Sequence, residues 1–131
     1  MKVLARSVTL VLCLGAAADD ARSALSQTEA ARMKTTYLVV YRPGPAWLPG
    51  KPIAEQPLKE HGRYILSLHV KGSLKFAGPF SDDAGGAAAF EAADDAEARA
   101  VVAADPAVVS GVFVAAVHPW RLVDWERHVK R

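Results

Sequence analysis

Four histidines punctuate the chain, at His61, His69, His118 and His128, and His61 is the hardest to explain as surface decoration. It shares helical spacing with Leu58, Ile65 and Leu68, so a helix here carries the imidazole on its core-facing side. A ring buried on an apolar face costs stability unless a polar group meets it. A carboxylate in that role holds the tautomer and makes a proton-transfer pair. Three aspartates are candidates for it: Asp105, and Asp82 or Asp83. The same pairing also suits a purely structural, satisfied histidine. The histidines show no metal-binding pattern, since no two stand four apart on a helix and His69 lies eight residues beyond His61. Phosphate loop, GxSxG elbow, HExxH and calcium-loop motifs are all missing, and neither a metal nor another cofactor is expected.

Around His61 stand residues that would shape a pocket. Tyr64 lies one turn along the same helix. The stretch LKFAGPFSDDAGG, from Leu74 to Gly86, begins as an apolar strand, breaks at Gly78-Pro79 and crosses an acidic, glycine-rich turn. Backbone amides near Gly78, Pro79 and Phe80 are placed to hold a developing anion, with Asp82 and Asp83 beside them. Residues 42–57 hold five of the chain's eight prolines, which precludes sheet or helix interior and predicts an irregular loop. Long loops in small domains commonly cover a site. Trp47, inside this one, either pins the loop or lids the pocket.

The elements that must position these groups follow in order. Thr35 to Tyr41 is a β-branched and aromatic strand, apolar on both faces and therefore needing cover on both. Pro57 to Lys71 is a helix stopped by Gly72, and its interior Gly62 suggests a close approach. Strands over Leu74–Phe80 and Gly86–Ala92 flank the acidic turn. Asp94 to Ala104 is a second helix with a capping-box spacing at Asp94 and Glu97, ended by Asp105-Pro106. Val108 to Val117 reads as the last strand, closed by His118-Pro119-Trp120. A βαββαβ order with right-handed crossovers gives an α+β, ferredoxin-like domain: a four-stranded antiparallel sheet with both helices on one face. Its other face calls for a mate, and a face-to-face homodimer supplies one.

The 131 residues suffice for one domain with a real core. Residues 1–18 have the form of a secretory signal peptide, with Lys2 and Arg6 before an apolar run and small residues at Ala16 and Ala18. Export is expected, without a stable membrane anchor once the segment is cleaved. Removing its two cations leaves 14 basic against 14 acidic residues, so charge gives no reason to expect nucleic acid or an anionic membrane as partner. The sole cysteine, Cys13, falls in that segment, which excludes disulfides and thiolate chemistry from a mature chain. Residues 19–34 form a polar, alanine-rich extension, helical when docked; 35–120 form the domain; 121–131 form a charged tail.

The HGRYI segment at His61 to Ile65, the GPF turn, DPAVVSG at Asp105 to Gly111 and the closing HPW together resemble the YciI-like (YCII-related) family of the dimeric α/β-barrel superfamily. The resemblance spans about residues 36 to 120. It implies a histidine–aspartate pair acting as acid and base, which falls on His61 and Asp105. It also implies proton-transfer chemistry on a small molecule. An enzyme of this kind is expected to work without a cofactor, by elimination, isomerisation or hydrolysis, with Tyr64 and Trp47 lining the pocket. A non-catalytic ligand-binding or assembly module of the same fold is the alternative.

Overall fold

The computed structural model of the protein describes residues 15–32 and 34–129. The chain divides into two compact units, Met1–Arg32 and Met33–Arg131. Residues 1–14 of the expected signal peptide lie outside the described residues. The first unit contains α1 (Gly15–Arg32), an unbroken 18-residue helix that begins before the expected extension and runs through most of it. Its hydroxyls turn back on the helix, Thr28 Oγ1 donating to the Ala24 carbonyl at 2.8 Å. Among the described residues no helix is long and apolar enough to cross a membrane.

The second unit is built on β1 (Thr35–Pro43), α2 (Lys59–Val70), β2 (Leu74–Pro79), β3 (Gly86–Ala92), α3 (Asp95–Ala103), α4 (Pro106–Val109) and β4 (Phe113–Trp120). The strands form one antiparallel sheet in the order β2-β3-β1-β4. This is the α+β, ferredoxin-like arrangement expected from the βαββαβ order. Alternation along β1 sends Tyr37, Val39 and Tyr41 to one face, opposite Phe90, Ala88 and Gly86 of β3. With Ala98, Val102, Ala107, Val112 and Phe113 these residues make the core under the helices. The α3 start is fixed by its cap: Asp94 Oδ1 accepts from the Glu97 amide at 2.8 Å, and Glu97 Oε2 accepts from the Ala93 amide.

The opposite face carries Leu38, Val40, Phe76, Val114, Ala116 and Trp120, and no described element of this second unit lies over it. Phe76 is 74% and Trp120 42% exposed. Small side chains at Ala87 and Ala89, and Gly78, leave a concavity of about 340 Å³ between Phe76, Leu38 and Trp120.

Two elements differ from their sequence expectations, the last strand most. The last strand does not begin at Val108; Pro106–Val109 instead forms the short helix α4, and the strand runs from Phe113 to Trp120. Asp105 does more than end α3. It caps α4, its Oδ1 accepting from the Ala107 amide at 2.9 Å, with Pro106 preset at the first helical position. Gly111, at φ 75°, then turns the chain out of the helix into β4. At the far end His118, Pro119 and Trp120 pair with Leu38, Tyr37 and Thr36 rather than closing the strand. The helix before β2 starts at Lys59, two residues inside its expected start at Pro57. Residues 121–129 are exposed, with a 3-10 turn at Trp125–His128.

Candidate functional site

α2 points His61 at the sheet, and the α3–α4 corner brings Asp105 to it from 44 residues away. His61 Nδ1 lies 2.8 Å from Asp105 Oδ2 and 2.9 Å from Oδ1. A carboxylate only accepts, so Nδ1 carries the proton and Nε2 is the nitrogen left for other work. Asp105 has no exposed surface at all, while the His61 side chain is 18% exposed. The buried carboxylate is satisfied by the imidazole and the Ala107 amide together. Its role as helix cap also fixes where its oxygens lie, so one local turn sets the orientation of a sequence-distant ring.

Two aromatic rings clamp that imidazole edge-on. Tyr41 stands at 5.2 Å and 78° to it, Phe113 at 5.3 Å and 76°. Burial and the neighbouring Asp105 carboxylate both push the Tyr41 phenol well above its ordinary value. The phenol therefore stays protonated through the neutral range.

His61, Tyr41 and Phe113 line a cavity of about 390 Å³ between α2 and the β2–β3–β1 part of the sheet. Leu58, Gly62 and Ile65 supply the helix wall; Ala77 to Pro79 and Gly86 to Ala88 supply the sheet wall. Ile53 and Ala54, from a 3-10 turn in the proline-rich loop, close the mouth. That loop is fastened from within by Gln56, 7% exposed, whose side chain accepts from the Leu48 amide and donates to the Leu48 and Lys51 carbonyls. It is fastened across the mouth by Asp83, whose Oδ1 accepts from the Ile53 amide at 3.0 Å.

Of the expected site residues, His61, Asp105, Gly78 and Pro79 come together around this cavity, with Asp105 behind His61. Four others are employed elsewhere. Tyr64 sends its hydroxyl to the Val101 carbonyl at 2.7 Å, tying α2 to α3, and burial raises its phenol's pKa. Trp47 packs on the core and against Phe113 at 5.8 Å, pinning the loop. Asp82 Oδ1 accepts from the Ala84 amide within its own turn. Phe80 is 38% exposed, and neither it nor Trp47 or Tyr64 lines the cavity.

The expected amide cradle at Gly78–Phe80 does not form. The Phe80 amide donates to the Gly85 carbonyl at 2.8 Å, Pro79 has no N–H, and antiparallel alternation commits the Gly78 amide to Ala87. Gly62 also differs from expectation: a Cβ built there meets no atom within 4 Å, so the glycine faces open space rather than a close approach. Among the described residues no group of three or more His, Cys, Asp or Glu side chains is gathered to hold a metal ion.

Sequence reasoning missed Tyr41, Phe113, Leu58, Ile65, Ile53 and Ala54 as cavity residues. Leu58 and Ile65 were readable from the spacing they share with His61. Ile53 and Ala54 carry no local signal, because only the tertiary path of the loop brings them over the sheet.

A ferredoxin-like α+β domain with a histidine–aspartate pair at the wall of an apolar cavity is the class that fold and site define. Residues 33–121 match the model of the YCII-related domain, and the chain belongs to that family. It is 39% identical over 62 residues to the uncharacterized protein YjpA of Bacillus subtilis (strain 168), a match covering 47% of this chain and 73% of that protein. No solved structure matches the chain with significance.

Proposed function

We propose that the protein is a small-molecule enzyme in which His61 takes and returns a proton through Nε2, without a cofactor, while Asp105 orients the ring. The observation that carries this reading is the 2.8 Å His61–Asp105 contact at the wall of a cavity large enough for a ligand. Nε2 accepts a proton from an activated C–H or O–H of the substrate. The imidazolium, balanced by the Asp105 carboxylate, returns that proton to a leaving group or to another carbon. Elimination, isomerisation and hydrolysis all fit that cycle.

The test is hydrogen–deuterium exchange at the acidic C–H of small cyclic ketones and lactones, followed by NMR. The native protein should accelerate exchange of at least one of them. His61→Gln should lose the acceleration by a factor of about 10² or more, the range of general acid–base catalysis, while keeping its circular dichroism spectrum. Equal exchange by the variant would end the proposal. A second reading, a non-catalytic binding module, draws support from the commitment of the Phe80 amide to Gly85, which leaves that corner without an anion-stabilising donor. It is the reading that survives if ligand binds and no exchange is seen with either protein.

The working form is proposed to be a homodimer joined through the bare sheet face. Leu38, Val40, Phe76, Val114 and Trp120 form an apolar surface of the kind that is normally covered. Trp120→Asp, at an exposed position, should leave the fold intact and shift sedimentation from dimer to monomer; an unchanged sedimentation coefficient would exclude that face.

A further inference from the structure

We propose that the cavity receives an uncharged, largely apolar molecule presenting one polar atom to His61, and that Gly62 sets the size of that molecule. The inference rests on the reading of His61 as the working group and adds the class of ligand. Its first support is the lining. Ile53, Ala54, Leu58, Ile65, Pro79 and Phe113 are apolar, and the polar side chains on the wall are those of His61 and Tyr41 alone. Among the described residues no lysine or arginine lines the space, and the charges bonded to its wall are carboxylates, Asp105 behind the imidazole and Asp83 at the mouth. An anionic ligand would shed its hydration to face a wall with no lysine or arginine and a negative group behind it. A cation would fare no better, since both Asp105 oxygens face the imidazole and the carboxylate presents no surface.

The second support is Gly62. A glycine inside a helix costs about 1 kcal/mol against alanine. Here the backbone does not demand it, since Gly62 is not among the residues with positive φ. Crowding does not demand it either, since an added Cβ would meet nothing within 4 Å. What the missing side chain does leave is room, because Gly62 is part of the cavity wall one residue from His61. The helix thus gives up stability at an exposed position on the cavity wall.

The experiment measures binding of three probes that share one naphthalene ring system to the full chain at neutral pH by calorimetry: 2-naphthol, 2-naphthoate and 2-naphthylmethylammonium. 2-Naphthol should bind at least about tenfold more tightly than either ion. Gly62→Leu should abolish 2-naphthol binding, Gly62→Ala should weaken it, and both should raise the melting temperature, which separates loss of space from loss of fold. Either ion binding as tightly as 2-naphthol, no 2-naphthol binding up to its solubility limit, or full affinity in Gly62→Leu overturns the inference. Its failure is distinct from failure of the proton-transfer reading. Catalysed deuterium exchange together with preference for 2-naphthoate sinks the ligand class alone; selective 2-naphthol binding without exchange sinks the chemistry alone.

Discussion

The two ends of the cavity are each fastened by an aspartate accepting a backbone N–H, and they differ in almost everything else. At the inner wall Asp105 is fully buried, accepts from the Ala107 amide and holds His61 with both oxygens. At the mouth Asp83 is exposed and makes one bond to the Ile53 amide, from a backbone with φ at 60°. A buried, multiply satisfied carboxylate has no water to exchange with, so its geometry is nearly fixed. An exposed one trades its partner for water at little cost, the more so when its own backbone is strained. The difference predicts rigidity at the His61 wall and easier opening at the entrance.

Removing the inner fastening should have the largest effect. Asp105→Ala deletes a helix cap and strands the imidazole, and it should cost about 3 kcal/mol or more in urea unfolding. Asp105→Asn keeps an oxygen to cap α4 and should cost distinctly less; equal losses would mean that the charged contact with His61, not the cap, carries the effect. The inner wall also answers to alkali. All three tyrosines sit above their ordinary value, each chiefly through burial. Above the unfolded value near 10 the unfolded chain therefore holds fewer protons than the native one, and stability falls as pH rises. Tyrosinate absorbance at alkaline pH should thus appear together with loss of tertiary circular dichroism; a tyrosine ionising near pH 10 in the intact fold would contradict the burial of that ring.

The smallest effect belongs to the mouth. Asp83→Gly loses one exposed hydrogen bond and relieves a left-handed residue, so its stability should change by no more than about 1 kcal/mol. Proteolysis within residues 48–56 should nonetheless become faster, because the tie across the mouth is gone. Asp83→Asn, which tolerates the same backbone and can still accept the bond, should lie between. Unchanged cleavage in Asp83→Gly would show that Gln56 and the packing of Trp47 hold the loop without the tie across the mouth.

What the sequence disclosed follows the same division. The His61 face, the β1 alternation and the α3 cap are local patterns, and each is written within a dozen residues. From the residues alone the pairing of His61 with Asp105 was one of three possibilities, since spacing does not say which turn folds back; only the family resemblance pointed to Asp105. The misplaced start of β4 had a local cause: VVSGVFVAAV is apolar enough for a strand throughout, yet Asp105-Pro106 is as good a helix start as a helix stop. The cavity mouth was illegible because a proline-rich loop has no periodicity to announce what it will touch.

Both outer strands of the sheet carry a proline, Pro79 in β2 and Pro119 in β4. A proline cannot donate to a further strand, and β2 also bulges between Leu74 and Phe76. Lateral growth into a ribbon or fibre is thereby blunted at either margin. A chain that leaves so much oily surface on its flat side can thus tolerate crowding without polymerising edge to edge.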